Sequence, residues 1–163
     1  MPFDPSSLRD APAVWAYTLD GDWLVWAGRT STDNDKLSLK VARNDDWWFH
    51  VKGTPGSHVV LFVRDGVEPP RAALDAAAAI AAYHSKMRDG GLVPVSACRA
   101  RDVSKPRGAP AGLVEIHRET TIKVRPALPA GAAPPPAPPA PAPGGPKKKG
   151  GGGGGGGGGG RRP

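Results

Sequence analysis

The sequence predicts an α+β fold with a mainly antiparallel sheet, and three observations predict it. Short segments rich in aromatic and β-branched residues recur between turn signals such as Asp20-Gly21-Asp22 and Gly53-Thr54-Pro55-Gly56. One long alanine-rich stretch, residues 71–88, has high helix propensity. A short helix fits between the first four strand-like segments, so the order reads β-β-α-β-β-α-β-β-β, with the helices interrupting a sheet built of hairpins.

The elements follow in order. Residues 14–19 and 23–27 flank Asp20-Gly21-Asp22 and predict a hairpin. Asn34 or Asp33 is placed to cap a short helix over residues 35–42, with Leu37 and Val41 four apart on one face. Asn44-Asp45 turns the chain into an aromatic strand, and Gly53-Thr54-Pro55-Gly56 joins that strand to residues 58–63. After Pro69-Pro70 comes the long helix, residues 71–88, with Gly90-Gly91 as its stop. Its buried stripe is either Leu74, Ala77, Ala81 and His84 or Ala73, Ala76, Ile80, Tyr83 and Met87. Residues 92–100, 112–117 and 120–125 complete the set as strands.

The densest chemistry lies in Asp46-Trp47-Trp48-Phe49-His50-Val51-Lys52 and Pro55-Gly56-Ser57-His58. Side chains alternate along a strand, so Trp48, His50 and Lys52 share one face while Trp47, Phe49 and Val51 share the other. The second face is suited to burial. The first offers a stacking ring and two donors for a phosphate or a base edge, although tryptophans in a small domain also commonly fill its core.

Charge divides unevenly along the chain. The formal net charge is +7, yet residues 1–126 hold 17 Lys+Arg against 15 Asp+Glu. The remaining +5 lies in residues 127–163, as Lys147, Lys148, Lys149, Arg161 and Arg162 without an acid. That segment is almost wholly Pro, Ala and Gly and cannot bury apolar surface, so a folded domain over residues 10–126 and a disordered basic tail over 127–163 are expected. Within the domain, residues 99–125 are locally basic, and Ser104-Lys105-Pro106-Arg107-Gly108 presents two cations on a stiff loop suited to phosphate.

Other chemistries find less support. Asp46, His50 and His58 are the sharpest candidates for a metal-dependent enzyme, but His50 and His58 lie eight apart across a turn, without H-E-x-x-H or paired C-x-x-C spacing. Ser57 lacks a G-x-S-x-G elbow, and Cys98 sits in a strand where an inert thiol is usual. As the lone cysteine, Cys98 excludes an internal disulfide. Neither a signal peptide nor a run long enough to span a bilayer is read from the sequence, so a cytoplasmic location is expected, without membrane association. A third reading makes the proline-rich tail an adaptor for a protein partner.

The motifs also carry a resemblance. Gly28-Arg29, Asn34-Asp35-Lys36-Leu37, the D-x-W-F-H run ending at His50, Pro55-Gly56-Ser57-His58, Lys105-Pro106-Arg107-Gly108 and Pro110-Ala111-Gly112-Leu113-Val114 together resemble the NFACT-R domain family over about residues 14–126. That family is the RNA-binding module of ribosome quality control factors and fibronectin-binding-protein-like proteins. The resemblance implies a solo, non-catalytic RNA-binding domain with no cofactor and no metal. Its implied partner is RNA, as tRNA or rRNA, with the large ribosomal subunit among the candidates and DNA not expected. It implies RNA contacts at Trp48, His50, Lys52, His58, Lys105 and Arg107, with Arg29, Asn34, Asp46, Phe49, Pro55, Gly56 and Ser57 as motif positions.

Overall fold

Strands β1 (Val14–Leu19) and β2 (Trp23–Gly28) pair as the expected hairpin, with Leu19 opposite Trp23. Its turn places Gly21 and Asp22 at φ of 85° and 65°, the left-handed region in which glycine carries no Cβ penalty. The computed structural model describes residues 11–64 and 66–129, so the expected tail lies almost wholly outside the described residues.

The first helix begins earlier than expected. Helix α1 spans Ser31–Lys36 and runs directly into a π-helical turn, Leu37–Val41. Thr30, rather than Asn34 or Asp33, is its cap: the Thr30 hydroxyl accepts from Asp33 N–H at 3.1 Å and donates to Asp33 Oδ2 at 2.8 Å. Asn34 is thereby free to turn inward, where it is buried.

Strand β3 (Trp47–Val51) pairs antiparallel with β4 (Val59–Leu61), which pairs in turn with β2. On the other side of β3 comes β5 (Val93–Arg99), and β8 (Thr120–Val124) closes the sheet. The six strands lie in the order β1-β2-β4-β3-β5-β8 with every pairing antiparallel. A separate ribbon joins β6 (Val103–Ser104) to β7 (Glu115–Ile116). The strand expected over residues 112–117 is therefore only two residues long and leaves the main sheet, and β6 was not legible as a strand. Neither partner is long enough to show a period of two.

Helix α2 spans Arg71–Tyr83, five residues short of the expected end at 88. His84 N–H still donates to Ile80 O, but the His84 carbonyl accepts from Ser57 N–H at 3.0 Å and Ser85 bridges to Gly56, which draws the chain out of the helix. The buried stripe combines parts of both candidates: Ala73, Ala77, Ala78, Ile80, Ala81 and Ala82. Five of the six are alanines, so the helix backbone settles close to the sheet. Beyond β8, Ala127 N–H donates to Ala79 O at 3.2 Å and Leu128 packs on the same core.

Two cores result, one on each face. The first lies under α2 and holds Val25, Phe49, Val59, Leu61, Val93, Val95 and Ile122. The second lies under α1, the π-helical turn and the β6–β7 ribbon, and holds Trp26, Leu37, Val41, Trp48, Val60, Phe62, Cys98 and Val103. Register explains the division: Trp26, Val60, Trp48 and Cys98 stand opposite one another across four strands and point to the second core. The expectation that the Trp48 face lies open for contact is therefore corrected, because Trp48 is 2% exposed. Replacing Trp48 by Ala is expected to cost about 3–5 kcal/mol in urea unfolding, matching Phe49→Ala on the opposite face; a loss below about 1 kcal/mol for Trp48→Ala would contradict the second core.

Candidate nucleic-acid interface

Buried polar groups must be paired, and the second core shows how Trp48 meets that demand. Trp48 Nε1 donates to Ser38 Oγ at 2.8 Å, and Ser38 Oγ lies 2.8 Å from His58 Nδ1. Indole N–H only donates, so Ser38 Oγ accepts from Trp48 and links the indole to the His58 imidazole. Burial pushes His58 down to about 4, aided by the neighbouring His50. The His50 and His58 rings meet edge to face at 5.4 Å, and Trp48 stacks beside His50 at 5.9 Å. Burial also lowers His50, opposed by backbone hydrogen bonding to Gly56 and Val51. Trp48 and His58 are thus internal struts, and a stacking surface for RNA is not available at Trp48.

The proposed metal set does not assemble. Asp46 is buried, and its carboxylate accepts from Val63 N–H at 2.7 Å and Arg43 N–H at 2.8 Å, tying the turn before β3 to the end of β4. Among the described residues no three His, Cys, Asp or Glu side chains are grouped to hold a metal ion. Ser57 Oγ donates to Gly28 O at 2.8 Å and is structural. Cys98 is buried, and burial pushes its thiol up to about 12, far from thiolate chemistry. Among the described residues, no helix is long and apolar enough to cross a membrane.

The expected cations divide by their partners. Lys105 Nζ meets Asp35 Oδ2 at 3.0 Å, Leu113 O at 2.9 Å and Pro110 O. An ammonium has three donors, so this one is fully occupied in stitching its loop to α1. Lys52 Nζ pairs with Glu119 at 2.7 Å, and Glu119 also accepts from Ser96 Oγ. Arg107 is exposed and makes no hydrogen bond or ion pair among the described residues. The expectation of a two-cation phosphate loop is corrected to one open cation, Arg107.

The motif residues converge elsewhere. A cleft of about 480 Å³ is lined by Trp15, Arg29, Pro55, Gly56, Ser57, His84, Lys86 and Arg88, with Gly28, Thr30, Ser31, Asn34 and Ser85 completing its walls. Three of these are cations and none is acidic. Lys86 is exposed, and its ammonium has no partner among the described residues. Arg88 stacks over Tyr83 at 4.2 Å and donates from Nε to Tyr83 O. Trp15 stacks on His84 at 4.5 Å with 13° between the rings, and Tyr17 Oη lies 2.7 Å from His84 Nε2. Burial pushes His84 down to about 4 and Tyr17 up to about 12, so both are neutral near pH 7. Trp15, Lys86 and Arg88 escaped sequence reasoning because they lie in a strand and past a helix end that carried no spacing signal. Arg29, Asn34, Pro55, Gly56 and Ser57, marked in the sequence as motif positions, all line the same cleft.

Comparison with known proteins bears on this geometry. Residues 13–118 match the family described as the NFACT protein RNA binding domain. The chain is 37% identical over 118 residues to a Rqc2 homolog, RqcH, of Streptococcus suis, covering 72% of this chain and 21% of the relative. It is 37% identical over 115 residues to RqcH of Bacillus subtilis, covering 71% and 20%. The chain thus spans about a fifth of the length of the curated relatives it matches. Among solved structures, the C-terminal part of the fibronectin/fibrinogen-binding protein from Streptococcus suis superposes with a TM-score of 0.66 at 35% identity, covering 74% of this chain and 47% of that one.

Two expectations follow. The folded His58 and His84 resist protonation, so the unfolded chain binds more protons below its own histidine pKa of about 6.5, and stability falls as pH drops from there toward 4. Urea unfolding at pH 7 and pH 5 should differ by on the order of 2 kcal/mol per ring, with neither imidazole titrating by NMR in that window; a stability independent of pH would contradict the buried neutral rings. Lys105→Ala should cost about 1.5–3 kcal/mol in the same assay through its lost charged hydrogen bonds, whereas Arg107→Ala should be silent; equal effects would contradict the partner assignment.

Proposed function

The chain belongs to the NFACT RNA-binding domain family, and from that premise we propose that it is a non-catalytic module that holds RNA in the cleft formed by Arg29, Lys86, Arg88 and Trp15. The observation that carries this reading is the charge of the cleft: three cations without a carboxylate, in a domain whose basic and acidic residues nearly balance. Concentrated positive charge attracts the phosphate backbone through counterion release, and long cationic side chains position RNA without reading its sequence. Arg107 supplies a further contact at the exposed loop, and the five cations beyond residue 126 add a diffuse, salt-sensitive attraction. His50, Trp48, His58, Asn34 and Ser57 act through position, because they hold the segments that form the cleft. Lys52, half neutralised by Glu119, contributes less than any of the cleft cations.

The RNA is tRNA or rRNA, and the setting is ribosome quality control on the large ribosomal subunit in the cytoplasm. Support comes from the family and from the RqcH relatives, of which this chain corresponds to one segment. Fluorescence anisotropy of the whole chain with purified tRNA and with large-subunit rRNA fragments tests the reading. Arg29→Ala and Lys86→Ala should each weaken binding to unrelated sequences by similar factors and lower the slope of log affinity against log salt by roughly 0.7 per lost phosphate contact. Failure of the unaltered chain to bind any RNA, or variants that bind as well as it does, would contradict the proposal.

A further inference from the structure

Three features of the cleft bear on the form of nucleic acid it accepts. Trp15 is only half-buried, yet its ring is held in place by the stack on His84, which is itself anchored by the Tyr17 hydroxyl. An aromatic ring so braced presents a contact surface whose ordering cost is already met in the free protein. Among the described residues, Arg29 is the loosest of the four arginines lying over aromatic rings: its guanidinium carbon is 5.3 Å from the Trp15 centroid, against 4.0 Å, 4.2 Å and 4.3 Å at Trp23, Tyr83 and Trp47. Among the described residues no carboxylate pairs with it, so it is able to swing aside and take a phosphate while leaving its place on the ring. The volume, about 480 Å³, falls in the range of sites for small molecules, roughly 300–1,000 Å³, which is the scale of one nucleotide.

We propose that the cleft takes a single unpaired nucleotide from an RNA loop, with its base laid on Trp15 and its phosphate between Arg29 and Lys86. This rests on the RNA-binding reading and narrows it to single-stranded or looped RNA. A base within a helix has both faces covered by its neighbours, whereas an unstacked one offers a free face to an aromatic ring. Gly56, without a side chain, lets this wall of the cleft close tightly on Ser85, because a Cβ there would stand 2.9 Å from Ser85 Cβ.

The test uses the whole chain with two RNAs of equal charge, a stem with an unpaired loop and a fully paired duplex, measured by anisotropy at fixed salt. The stem–loop is expected to bind more tightly. Trp15→Ala should weaken stem–loop binding by roughly 5- to 150-fold, far more than it weakens duplex binding, while Lys86→Ala should weaken both through lost attraction for phosphate. A walk of abasic sites through the loop tests the same idea on the unaltered protein and does not depend on how Trp15→Ala folds: one position should reproduce the loss. Equal affinity for both RNAs, or an abasic walk without effect, would overturn the proposal while leaving RNA binding intact. Binding to neither RNA would instead overturn the RNA-binding reading on which it stands.

Discussion

The segment from Pro55 to His58 is the constraint on which the site depends, because four residues tie together β2, α1 and the end of α2 around the cleft. Ser57 N–H reaches the His84 carbonyl at the end of α2, and Ser57 Oγ reaches Gly28 O at the end of β2. His58 N–H reaches Asn34 Oδ1 in α1, and its carbonyl accepts from Gly28 N–H. Gly28 is the counterpart of this junction: a Cβ there would stand 2.1 Å from Asn34 Oδ1. Removing any one bond leaves a buried donor or acceptor without a partner, at about 1–3 kcal/mol. Arg29 follows Gly28, and Lys86 follows the His84–Ser85 contact and donates its own N–H to Pro55 O at 3.4 Å, so both cations are placed by the backbone of this junction.

A sheet covered on both faces accounts for the buried imidazoles. A single-sided sheet would leave the Trp48 face wet and its histidines titratable near neutrality. Here α1, the π-helical turn and the small ribbon close over that face, so Trp48, Ser38 and His58 must satisfy one another. Lys105 belongs to the same closure, since its three acceptors fasten the loop before β7 against α1. Cationic groups of a kind suited to RNA therefore divide into those that hold the second layer in place and those that remain at the surface.

Periodicity made the hairpins and the location of the long helix legible, because β1, β2, β3 and β5 each contain enough residues to show their pattern. It also separated Phe49 from Trp48 onto opposite faces. What it did not show was whether the second face met water or another layer, since a tryptophan and an imidazole suit either. The end of α2 was equally hidden: His84 and Ser85 are drawn from the helix by Ser57 and Gly56, partners nearly thirty residues away in the chain. The same long-range pull assembles the cleft, which explains why Arg29, Pro55 and Gly56 stood out as a motif while Trp15, Lys86 and Arg88 did not. The family itself was legible, since residues 13–118 contain the motifs on which the resemblance rests.

The central claim is one of location: RNA meets the cleft, and the Trp48 face is closed to it. Ultraviolet crosslinking of the intact chain to bound RNA, followed by mass spectrometric mapping of the modified residues, tests that location most directly. Crosslinks are expected at Trp15 and in the segments around Arg29 and Lys86, with none at Trp48 or His58. Crosslinks concentrated at Trp48 and His58, with the cleft residues unmodified, would contradict the account.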